Sequence, residues 1–260
     1  MPAQLSLLML LLLILVTVFL TSVLSGMIGM AGGIVLMAVL VTLTPVTHAM
    51  ILHGIVQSVA NGARFWFLRE HMLYQVLPGY LLGSLIAIGV FFTFSVVPNE
   101  NLVLILLGLT PLVAHLIPNH ILSVDIRKPR VAFLCGCSVV GLQLTQGTSG
   151  PLLDLFYQSS PLNRFQIVAT KAFTQTVGHV CKTTYYLYAS ISLSDLEAQL
   201  NPLWLLPAVL LALAGTWLGT RILHRMPEES FQRYVPWAMD AIGLLCVAKG
   251  ISGLVHGAAA

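Results

Sequence analysis

The chain of 260 residues is 57% hydrophobic and only 8% charged, with a mean hydropathy of +0.92, whereas about a quarter of a soluble domain is charged. This excludes a water-soluble fold for most of the chain, and a net charge of +3 without a basic patch excludes nucleic acid as a partner. Cys135, Cys137, Cys181 and Cys246 lie in apolar stretches without CxxC pairs, and the eight histidines show no metal-ligand spacing. Neither a disulfide framework nor a metal or other cofactor is expected.

A helix rises about 1.5 Å per residue, so crossing a hydrocarbon core of about 30 Å takes about 20 apolar residues. Residues 5–24 meet that length without a charge. They lack a basic flank and exceed the apolar run of a secretory signal, so a membrane segment is expected there. A glycine-rich break follows, Ser25-Gly26-Met27-Ile28-Gly29-Met30-Ala31-Gly32-Gly33, and then a short apolar segment at 34–43. Thr44-Pro45 opens the next segment, 46–69, as a hydroxyl cap followed by proline in the first turn. Segments 74–97 and 101–117 complete a first set of five.

Residues 120–130 form a linker carrying Arg127, Lys128 and Arg130. The second set begins with segment 131–146 and breaks at Gly147-Thr148-Ser149-Gly150-Pro151. It continues with a short segment at 151–159, a segment at 161–188 opened by Ser160-Pro161, and segments 203–224 and 232–253. The chain therefore reads as an all-α membrane protein of two repeats, 1–119 and 131–260, each with about five segments and one discontinuous short helix at a glycine-rich break.

Lys and Arg in short connections mark the cytoplasmic side. By that rule Arg69, the 120–130 linker, and the loop near Arg221, Arg225 and Arg233 face the cytoplasm. The 189–201 connection, with Asp195 and Glu197 but no Lys or Arg, faces outside. Equivalent connections on opposite sides make the repeats inverted. Both termini then lie outside, unless the short segments re-enter rather than cross.

Backbone leaves helical form inside a bilayer only where protein buries it or a wet cavity receives it. Each break aims the N-terminus of a short helix inward, with free N–H groups and the positive end of the dipole, which suits an anion. Close helix packing through the glycines is the alternative. Segments three and eight each carry a polar stripe: His53, Gln57, Asn61 and Arg64, and Lys171, Gln175, His179 and Lys182. Both are spaced 4, 4 and 3, which places each set on one helical face. The stripes are offset by 118 residues but the two prolines by 116, so a small insertion is expected between proline and stripe in the second half.

Lys171, about 15 Å inside its helix, is expected to meet an anion, a carboxylate or a helix C-terminus. Arg64 and Lys182, towards helix ends, either join it or snorkel to headgroups. Asp154 pairs with Lys171, carries a coupling proton, or complements its own helix dipole. Asp240 lies in an apolar segment with no assignable partner.

The break at Ser25–Gly33, its partner at Gly141–Pro151, and the Thr-Pro and Ser-Pro pairs after them resemble the sulfite exporter family of the TauE/SafE type, also called toluene sulfonate uptake permeases. The resemblance spans the chain in layout. It implies a multi-pass carrier of the inner membrane that moves sulfite, organosulfonates or related small anions, coupled to an ion gradient of protons or sodium. The first break has fewer consecutive glycines than is usual in the family, which leaves the particular anion open.

The expected site holds the anion near the midplane on Gly32, Gly33, Ser149 and Gly150, with Thr148, Gln57, Asn61, Gln175 and His179 as further ligands. Lys171, Arg64 and Lys182 supply positive charge there. The competing reading is a rhomboid-like intramembrane protease using Ser149 as nucleophile and His179 as base. It lacks the glycine expected three residues after the histidine and leaves the duplicated break unexplained. No G-x-x-x-x-G-K-[ST] occurs, so the chain is not its own ATPase.

Overall fold

A computed structural model describes residues 2–28, 31–117, 124–157, 160–191, 202–223, 225 and 228–257. Gly29, Met30, Asp195 and Glu197 lie outside the described residues, as do residues 120–123 of the linker and 192–201 of the 189–201 connection. Among the described residues there are ten α-helices and no strand: α1 Pro2–Ile28, α2 Ala31–Leu43, α3 Val46–Leu68, α4 Leu77–Phe94, α5 Glu100–Leu116, α6 Pro129–Gln146, α7 Gly150–Tyr157, α8 Arg164–Ile191, α9 Pro202–Leu223 and α10 Glu228–Gly257. Four contain spans long and apolar enough to cross a membrane: Leu8–Met27, Tyr74–Phe94, Leu205–Ile222 and Met239–His256.

Polarity runs inside out relative to a soluble protein. His53, Gln57, Asn61, Gln143, His179 and Lys182 are buried, while Leu12, Leu85, Leu244 and Leu245 are exposed. Apolar side chains on the outside and satisfied backbone within helices are what a lipid solvent selects.

The helix starts correct the expected caps. Pro45 stands outside α3 at its N-cap position, and Thr44 Oγ1 donates backwards to Leu40 O at 2.9 Å. Ser160-Pro161 likewise precedes α8, and Ser160 Oγ donates to Phe156 O at 3.3 Å. The cap of α8 is Asn163. Its Oδ1 accepts from Gln166 N at 3.0 Å, and its own N–H donates to Gln166 Oε1 at 3.2 Å, a reciprocal pair that satisfies two orphan donors. Measured between true starts, Val46 and Arg164 are 118 residues apart, the same offset as the stripes. The two-residue insertion therefore lies before the helix, among residues 161–163, and not within it.

Four helix pairs make the bundle: α1 with α9, α4 with α6, α3 with α8, and α5 with α10. Small residues let the backbones approach. Gly215 and Gly219 of α9 sit against α1, where an added Cβ would meet Phe19 O at 2.6 Å and Val23 O at 2.1 Å. Gly79 and Gly83 of α4 do the same against Pro129 O and Phe133 O of α6. Residue numbers rise together across both pairs, which are parallel. In α3 and α8 they run opposite ways, since His53 meets Lys182 and Phe65 meets Phe173. The pair α5 and α10 is also antiparallel, with Asn101 beside Gly250 and Gly253, Gly108 against Gly243, and His115 bonded to Asp240.

In the connection before α6, Arg127 grips Asp125 through Nε and Nη2 at 2.8 to 3.1 Å. The guanidinium beside it holds that carboxyl below the usual carboxylate range.

Candidate anion site between the two helix breaks

The helix α6 stops because Gly147 adopts φ +85°, a left-handed C-cap that returns its N–H to Gln143 O. Only glycine takes this conformation freely, and a Cβ there would also lie 2.5 Å from Met37 Sδ of α2. Thr148 and Ser149 follow without helical bonding, and Leu153 N donates to Ser149 O at 2.9 Å to begin α7. Gln146 braces the turn by donating to Thr148 O at 2.9 Å while accepting from Thr110 Oγ1 at 2.9 Å.

At each break a carbonyl at the end of the first helix accepts from a cationic side chain. Lys182 Nζ donates to Gly147 O at 2.8 Å, and Arg64 Nη2 donates to Ser25 O at 3.2 Å, in the last turn of α1. Each cation thus sits where a helix ends and its dipole is negative. His53 Nε2 donates to Gly33 O at 2.9 Å. Because a carbonyl oxygen only accepts, Nε2 carries the hydrogen, which leaves Nδ1 to accept from Lys182 Nζ at 2.8 Å. One chain of bonds, Gly147 to Lys182 to His53 to Gly33, therefore ties the two breaks together through both stripes.

A cavity lies between them, lined by Ser25, Gly33, His53, Gln57 and Asn61 from the first half and by Thr148, Ser149, Gly150, Gln175 and His179 from the second. About 20 Å³ is open to the centre of a water molecule, room for about one water. Thr148 Oγ1, Ser149 Oγ and His179 Nδ1 are buried there without a hydrogen-bond partner, a condition that costs free energy unless a ligand or water meets them. Gln143 Nε2 lies 3.4 Å from His179 Nε2. With the amide donating, His179 Nδ1 carries its hydrogen and is a free donor.

Eight of the twelve residues expected at the site line this cavity: Gly33, Gln57, Asn61, Thr148, Ser149, Gly150, Gln175 and His179. Gly32 stands elsewhere, where an added Cβ would lie 2.0 Å from Thr21 O, so it serves the close approach of α2 to α1. Arg64 and Lys182 hold the break carbonyls behind the lining, and Lys182 is fully buried rather than reaching for headgroups. Lys171 pairs with Asp154 of α7, and this pair is only partly buried. Asp240 has a partner in His115 Nδ1, 2.5 Å from its carboxylate. No signal in the sequence joins residues so far apart.

Ser25 and His53 complete the lining. The signal for His53 was its place in the stripe, and for Ser25 its place at the first break. Ser149 and His179 share the cavity, but Ser149 Oγ has no partner, so no nucleophile–base hydrogen bond joins them. Among the described residues no group of three or more His, Cys, Asp or Glu side chains is placed to hold a metal ion.

No curated protein and no solved structure matches the chain. The family model described as Sulfite exporter TauE/SafE matches residues 13–245, nearly the whole length and both halves of the site, and on that match the chain belongs to the TauE/SafE family of sulfite exporters, a family of membrane transporters.

Proposed function

We propose that this chain is a secondary transporter that carries a small sulfur oxyanion, sulfite or an organosulfonate, across the cell's inner membrane by alternating access. The observation that carries this reading is the set of unpartnered donors in the cavity. The carbonyls a cation would seek, Ser25 O, Gly33 O, Gly147 O and Thr148 O, already accept from Arg64, His53, Lys182 and Gln146. The lining atoms buried without a partner, Thr148 Oγ1, Ser149 Oγ and His179 Nδ1, can each donate, and no carboxylate stands in the lining. Buried Lys182, when protonated, adds positive charge directly behind it. Oxyanions suit such a site because their oxygens accept several hydrogen bonds in diverging directions.

The cavity admits about one water, so taking an anion requires the walls to separate. Two inverted repeats supply the motion, one rocking against the other. Three relations support that arrangement: the common offset of 118 between the starts of α3 and α8 and between their stripes, the parallel pairs α1/α9 and α4/α6, and the antiparallel pairs α3/α8 and α5/α10. A two-fold axis in the membrane plane exchanges the first two pairs and maps each of the others onto itself.

The test is uptake of sulfite and methanesulfonate by proteoliposomes, beside binding to the purified protein. Saturable uptake of either anion, weakened in Ser149→Ala, supports the reading. Absence of binding and uptake, with peptide cleavage that disappears in Ser149→Ala, replaces it with the protease.

A further inference from the structure

Lys182 is fully buried, and its two acceptors, Gly147 O and His53 Nδ1, are both uncharged. Among the described residues, the half-buried carboxylates are engaged elsewhere: Asp154 with Lys171, Asp240 with His115, and Asp125 with Arg127. The titratable groups facing it are His53 from α3 and His179, one turn back on α8. The α6–α7 break offers the carbonyl of Gly147, and the last turn of α6 offers, beside His179, the neutral amide of Gln143. A charge in such a place is costly without a partner of opposite sign.

The hydrogen bonds of the pair fit one excess proton in two ways. With the proton on Lys182, Nζ donates to Gly147 O and to His53 Nδ1, and His53 Nε2–H donates to Gly33 O. With the proton on His53, both ring nitrogens donate, Nε2 to Gly33 O and Nδ1 to the lone pair of Lys182 Nζ, which keeps its bond to Gly147 O. Neither arrangement moves a heavy atom or orphans a break carbonyl. When the proton leaves, an unprotonated amine and a neutral ring remain, and the positive charge beside the cavity is gone.

Resting on the anion reading above, we infer that Lys182 and His53 form a one-proton store loaded together with the anion, so that each turnover moves a proton in the same direction as its substrate. An anion in the cavity supplies the missing counter-charge and tightens proton binding, and by reciprocity the proton tightens anion binding by the same factor. The proton is added to the free amine or imidazole nitrogen from water on the side where the site opens. It returns to water on the other side when the anion departs.

The experiment is titration calorimetry of the purified full chain with methanesulfonate, whose charge is fixed over the accessible pH range, in buffers of different ionisation enthalpy. The inference expects about one proton taken up per anion bound above neutral pH, and in proteoliposomes an imposed proton gradient driving methanesulfonate uptake. Uptake of protons disappears in Lys182→Met. Anion binding with no proton uptake in the wild-type chain overturns the inference and leaves the transporter reading standing. Binding of neither methanesulfonate nor sulfite overturns both. The wild-type measurement decides by itself if Lys182→Met fails to fold.

Discussion

The ammonium of Lys182 lies 2.8 Å from the carbonyl oxygen of Gly147, 35 residues earlier in the chain, and that bond holds the end of α6 at the cavity. Lys182→Met keeps the volume but leaves Gly147 O and His53 Nδ1 buried without a donor. Each orphaned acceptor costs about 1–3 kcal/mol, so we expect a clear loss of thermal stability in detergent. Arg64→Met, which frees one carbonyl, Ser25 O, rather than two acceptors, should cost less. Equal losses in the two variants would show that the number of orphaned acceptors does not set the penalty.

Gly147→Ala imposes two separate penalties. A left-handed φ costs an L-residue about 1–2 kcal/mol, and the new methyl meets Met37, whose side chain is fully buried. Combined with Met37→Ala, the clash disappears but the backbone strain stays. Chemical or thermal unfolding of the singles and the double should therefore show a loss smaller than additive, with the double still less stable than Met37→Ala alone.

Thr148→Val and Ser149→Ala remove hydroxyls that are buried and unpartnered. Removing an unsatisfied polar group relieves its desolvation cost, so both variants should melt at the wild-type temperature or above. Each should also lose about threefold to tenfold in anion affinity, the worth of one hydrogen bond of about 0.5–1.5 kcal/mol. Stability and function moving in opposite directions is the signature of a site strained for its ligand. A drop in both would assign these hydroxyls to folding.

The membrane class, the two breaks and the two stripes were legible because lipid imposes length and polarity rules that single residues obey. The stripe offset of 118 even located the register of α8, whereas Ser160-Pro161 misplaced its start. Asn163 and Gln166 compete for the cap and win by satisfying two N–H groups at once. What a single sequence did not reveal is which cation faces what. Lys171 and Lys182 share one helical face, and the difference between them is set by neighbours far along the chain: Asp154 on α7 for one, Gly147 and His53 for the other. The His115–Asp240 contact is of the same kind, a pairing of residues 125 apart that no periodicity announces.

Lys171 and Asp154 join α8 to α7, outside the cavity lining and partly exposed. A pair in that position holds the short helix in place more than it binds substrate. Lys171→Met should lower stability modestly, since partly exposed ion pairs contribute about 1 kcal/mol or less, and should leave methanesulfonate affinity within a few-fold of wild type. Asp154→Lys sets two like charges against each other and should reduce transport, whereas adding Lys171→Asp restores the opposite signs and should recover much of it. Uptake by proteoliposomes carrying the singles and the swapped pair measures this. If Lys171→Met alone abolishes anion binding, the ammonium leaves Asp154 for the substrate during the cycle, and the pair is then a part of the binding site that this conformation holds apart.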